Sequence, residues 1–167
     1  MRNLLVPFLL LLLVVPATAL ATTAAPPPAT DGTLSLREGR GVIQLNARGS
    51  ITGRFANGKI TITDPNPYDA YRPAVFGASK ITYRNEKTTV YQGRSVRFRM
   101  IGGHFQAKVE GRGIFLSAIG RGRGQLDGAG DAAKGIFYDG VWSLNDEPYH
   151  SLPDAPTGFK LAAPGPR

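Results

Sequence analysis

No cysteine occurs anywhere in the 167 residues, which excludes disulfides, thiol catalysis and thiolate metal sites. Histidine is nearly as scarce, with only His104 and His150. Neither Gly-x-Ser-x-Gly nor Ser-x-x-Lys is present, so no motif points to a nucleophile. Helical patterning is missing as well. Beyond the first 21 residues no window repeats its apolar residues at the 3.6-residue spacing of a helix. Acidic residues are thin from Arg37 to Arg123, where 5 face 16 lysines and arginines; from Gly124 onward the balance reverses, 3 basic against 6 acidic.

What is present begins with an exported-protein signature. Arg2, the apolar run from Leu4 to Val15 and the small-x-small site Ala19-Leu20-Ala21 predict a cleaved signal peptide over residues 1–21. The run is shorter than the roughly 20 residues of a spanning helix. The expected location is therefore secreted or cell-surface, and disulfide-free export suits a bacterial envelope. Residues 22–30 hold three consecutive prolines among Ala and Thr and read as an extended linker. A single all-β domain is expected over 31–162, followed by a disordered tail at 163–167.

The domain assignment rests on alternation. Val96, Phe98 and Met100 alternate with Arg97 and Arg99, and Phe105, Ala107 and Val109 alternate with Gln106, Lys108 and Glu110. A period of two places one set inside and the other in solvent. Gly102-Gly103, Asn57-Gly58 and Asp139-Gly140 each read as a two-residue hairpin turn. Gly135–Tyr138 reads as the strand before the last of these. The pattern predicts a single antiparallel barrel or sandwich of about ten short strands joined as meander hairpins. Glycines inside the strands favour closure as a barrel. Glu38-Gly-Arg-Gly-Val-Ile43 recurs as Glu110-Gly-Arg-Gly-Ile-Phe115, 72 residues on, which suggests two similar halves turning corners at Gly-Arg-Gly.

The chemistry the residues favour is anion contact. Arginine supplies 14 of the 20 basic residues, and its planar fork suits carboxylate, sulfate and phosphate. Arg97, Arg99, Lys108 and Arg112 are expected on one outward face, with Arg121 and Arg123 extending it between glycines. Partners of this chemistry outside the cell are anionic polysaccharide, wall polymer or lipid head groups. Nucleic acid is disfavoured, because no RNA-binding signature accompanies the basic stretch. A lipid-facing barrel is also disfavoured, since Arg97 and Arg99 would lie in the hydrocarbon layer.

Weaker candidates remain. Asp64, Asn66 and Asp69 in one loop, and Asp127 and Asp131 in another, offer oxygen ligands. Neither loop has the spacing of a calcium hand, and such residues also form turns. No catalytic residue and no cofactor is expected. The rival reading is a small hydrolase or isomerase in a barrel mouth using His104, and a third is a purely structural envelope protein.

Overall fold

The computed structural model describes residues 30–130, 135 and 138–165. The expected signal peptide, the linker up to residue 29, Asp131 and the middle of the strand expected over 135–138 lie outside the described residues. Seven antiparallel strands form the molecule: β1 (Gly32–Thr63), β2 (Ala74–Tyr83), β3 (Thr88–Met100), β4 (His104–Gly128), β5 (Val141–Leu144), β6 (His150–Ser151) and β7 (Thr157–Leu161). No helix occurs among the described residues. The all-β, antiparallel class is as the alternation predicts, but the strand lengths are not. β1 has 32 residues and β4 has 25, so each absorbs what reads in the sequence as several short strands.

These two strands wind around one another. Residues 32–48 of β1 run antiparallel to 120–104 of β4 on one edge, while 41–63 run antiparallel to 128–106 on the other. The first half of β4 thus lies between the two halves of β1. β3 pairs with residues 51–63 of β1, and β2 flanks β3. At the far side, β7 pairs with the end of β4, while β5 and then β6 add to the start of β1. The sheet does not close into a barrel.

The Gly102-Gly103 turn has positive φ at both residues, 71° and 62°, as a two-residue turn requires. Yet it does not join a meander, because β3 and β4 pair with β1 and not with each other. They follow one another along the same edge of β1, tied at the handover by Gly49 N–H donating to the Gly103 carbonyl at 3.1 Å. Asn57-Gly58 is no turn either. Asn57 faces Arg94 and Arg112, and Gly58 faces Gly93 and Gly111, inside the continuous β1. Positive φ serves a strand irregularity as readily as a hairpin. Residues 138–140 lie outside the strands, and β5 pairs with β1 and β6, so Asp139-Gly140 is not the centre of a hairpin.

Four strand segments change the parity of their buried residues together. The switch falls between Leu36 and Gly39, Phe55 and Ile60, Gly93 and Val96, and Val109 and Ile114. Glu38 and Ser95 sit at two of these switches with φ of 54° and 53°. Without the extra residue, every side chain beyond the switch would turn from core to solvent. The register places Gly39 opposite Ile114, and Asn57 opposite both Arg94 and Arg112, so the irregularities form one line across the sheet. The Glu-Gly-Arg-Gly copies lie on this line and oppose each other, Arg40 facing Arg112 and Gly41 facing Gly111.

The two halves of each long strand meet where Gly49 faces Gly120. Both have positive φ, 141° and 155°. A Cβ on Gly49 would overlap the Ile119 carbonyl oxygen, and one on Gly120 the Arg48 oxygen. Inside, Leu34, Ile43, Ile51, Phe55, Ile60, Val96, Met100, Phe105, Val109, Ile114 and Leu126 are each at most 1% exposed. That burial supplies the stability that disulfides would otherwise have to give.

Candidate anion-binding face

On the outer face the register assembles a row from four strands. Phe76 of β2 faces Arg97 of β3, Arg97 faces Arg54 of β1, and Arg54 faces Phe115 of β4. Two arginines are thus directly opposed between two aromatic rings. Phe76 is 60% exposed. The Arg54 guanidinium lies over the Phe115 ring, 4.2 Å from its centre, a cation–π contact that holds it flat on the surface. Two clefts of about 380 and 330 Å³ share Arg54, Arg97 and Phe115 in their walls.

A second row follows across the line of irregularities: Arg94, Asn57, Arg112 and Arg40, all exposed. Like charges directly opposite on paired strands destabilise a sheet, and here it happens at both Arg54–Arg97 and Arg40–Arg112. None of Arg40, Arg54, Arg94, Arg97 and Arg112 has an ion pair among the described residues. The pairs that exist lie elsewhere: Lys59–Glu110 at 3.1 Å, Lys108–Glu110 at 3.3 Å and Arg121–Asp31 at 3.0 Å. Burial pushes the Glu110 carboxyl upward, but the hydrogen bonds and charges of Lys59 and Lys108 outweigh it and hold the group below its ordinary value.

The six residues singled out from the sequence separate into groups. Arg97 and Arg99 lie together on β3 beside Arg54 and Thr52 of β1, and Arg112 joins them from the adjoining row. Lys108 instead lines a groove of about 460 Å³ with Arg123, Gln44, Asn46, Gln106 and Gln125. Arg121 faces Arg48 of β1 and bonds Asp31. They do not form one stripe on two neighbouring strands, because the second half of β1 stands between β3 and β4. That strand contributes Arg54, which alternation within β3 and β4 could not reveal. Arg40 had a signal, its place in the repeated Glu-Gly-Arg-Gly.

The other candidates have local roles. Asp64 Oδ1 accepts from the Asn66 N–H at 3.0 Å and Asp69 Oδ1 from the Tyr71 N–H at 2.8 Å, while the Asn66 amide donates to Asp69 at 3.3 Å. These are the bonds of turn formers. Asp127 is half-buried on β4 opposite Val42, and Asp131 lies outside the described residues. His104 is exposed, with Nε2 2.6 Å from the Asn46 amide oxygen; no carboxylate orients it. Comparison with protein-family models, with curated proteins and with solved structures gives no match.

Proposed function

We propose that this is an exported, non-enzymatic β domain that binds an anionic polysaccharide or wall polymer through the arginine rows of its outer face. The observation that carries the reading is the row Phe76–Arg97–Arg54–Phe115. Opposed arginines without counterions cost stability, and an anion laid between them would turn the repulsion into two charge-assisted contacts. The exposed Phe76 ring offers flat apolar surface to the face of a sugar ring, which a lipid head group does not need. Asn57, between Arg94 and Arg112, adds an amide that can donate to and accept from hydroxyls.

The rival barrel-mouth enzyme finds less support. The interior it would require is filled by Val96, Phe98, Met100, Phe105, Val109 and Leu116, none more than 3% exposed. The test is retention of the purified chain from residue 22 on immobilised heparin and on wall polymer, across a salt series. Retention that falls steeply with salt, and drops in the triple variant Arg54→Ser, Arg97→Ser, Arg112→Ser, supports the reading. Early elution unchanged by the triple substitution overturns it.

A further inference from the structure

On the opposite chemistry, the glycine-rich end of β4 carries a carboxylate that the anion-binding face does not use. Asp139 is 6% exposed, and neither of its carboxylate oxygens has a hydrogen-bond partner. An ionised carboxylate in that position is costly unless a positive charge meets it. No ion pair reaches Asp139 or Asp154 among the described residues.

The Asp139 carboxylate packs against the backbone of two glycines. Its Oδ2 lies 2.8 Å from the point where a Cβ on Gly128 would sit and 2.8 Å from the corresponding point on Gly130. Asp154 Oδ1 is 2.5 Å from the Gly130 point, and the Pro153 carbonyl oxygen is 2.8 Å from the Gly128 point. Two carboxylates and one main-chain carbonyl therefore converge over Gly128 and Gly130, where any side chain would collide with them. Main-chain bonds fix all the contributing segments to β1 or to each other. Arg40 N–H donates to the Asp139 carbonyl at 2.8 Å, Ala129 N–H to the Arg40 carbonyl at 3.0 Å, Gly128 N–H to the Pro153 carbonyl at 2.7 Å, and Leu152 N–H to the Gly140 carbonyl at 3.0 Å. The backbone that carries these oxygens is thus tied to the sheet.

We infer that Asp139 and Asp154 hold a divalent cation, calcium in preference to magnesium or zinc, over Gly128 and Gly130. The donor set is oxygen only, which disfavours zinc. Calcium accepts irregular arrangements of carboxylates, carbonyls and water, whereas magnesium demands a near-ideal octahedron. No group of three His, Asp or Glu side chains suited to a metal occurs among the described residues, so main-chain oxygens and water complete the shell. Two carboxylates place the affinity in the weak range of extracellular calcium modules, Kd about 10⁻⁴–10⁻³ M. The ion ties the end of β4 and the 139–154 segment to β1 in a chain that has no disulfide to do so.

The test is calorimetric titration of the chain from residue 22 with calcium chloride, alongside thermal unfolding in calcium and in EDTA. One calcium per chain, a higher Tm in calcium, and affinity weakened roughly tenfold or more by Asp139→Asn and by Asp154→Asn are expected. The arginine triple variant should bind calcium as the wild type does. Should Asp139→Asn fail to fold, Asp154→Asn, at an exposed residue, carries the test alone. No heat together with equal Tm in calcium and EDTA overturns the inference, as does calcium binding that both Asn variants retain.

Discussion

The Arg54–Arg97 pair makes a quantitative prediction about stability as well as binding. Their Cβ atoms should be about 5 Å apart as opposed residues of paired antiparallel strands. Side chains that splay apart to about 7 Å leave two unit charges repelling by about 0.6 kcal/mol in a water-like dielectric. Arg54 cannot swing far to escape, since its guanidinium lies on Phe115 at 4.2 Å. Arg97→Thr should therefore stabilise the unliganded protein at low salt by about 0.5 kcal/mol, or about 1–2 °C in Tm for a domain of this size. Arg54→Thr should gain less, because it also loses a cation–π contact of about 0.5–1 kcal/mol. In the double-mutant cycle, measured by urea unfolding, the combined gain should fall short of the sum of the single gains by about 0.6 kcal/mol. At 1 M salt, with a screening length of about 3 Å, that shortfall should vanish. The same two substitutions should weaken polyanion retention. A cycle with no coupling at low salt, or coupling unchanged at high salt, would refute the idea that these arginines are held against their own repulsion.

Other parts of the structure give sharper mechanical tests. Gly120→Ala should cost at least about 2 kcal/mol in urea unfolding, from strain at positive φ and the overlap with the Arg48 carbonyl; an unchanged midpoint would contradict the close backbone approach. Glu110→Gln should lower stability at neutral pH by about 0.5 kcal/mol, through loss of its two lysine contacts. Because the folded-state carboxyl is held below its ordinary value, its contribution is present above that value and lost as pH falls through the folded one. Wild type and Glu110→Gln should therefore converge in stability under acid conditions, and a gap that persists there would refute the assignment.

Much of the architecture was legible in the alternation. Val96, Phe98, Met100, Phe105 and Val109 are all in the core, and their arginine neighbours are exposed. What misled was the equation of glycine pairs with turns. Asn57-Gly58 has the composition of a hairpin, but long-range pairing with β3 and β4 keeps β1 running straight through it. Local sequence cannot weigh a strand irregularity against a reversal, because both favour residues that tolerate positive φ; the partner strands decide. The make-up of the candidate face was half legible for the same reason. Alternation found Arg97, Arg99 and Arg112, while Arg54 becomes their neighbour only because β1 returns between β3 and β4. Asp139 gave no signal at all, since an Asp-Gly pair reads as a turn whether its carboxylate meets water or is buried.

The central claim is that the arginine rows form a shaped site and do not act merely through net charge. The most direct measurement compares the affinity of two triple variants for heparin oligosaccharide at physiological salt. One removes Arg54, Arg97 and Arg112; the other removes the exposed Arg72, Arg84 and Lys87, changing the net charge by the same amount away from the rows. Binding lost in the first and retained in the second is the predicted result. Equal losses in both would contradict the account and leave the arginines as an ordinary solvated strand face.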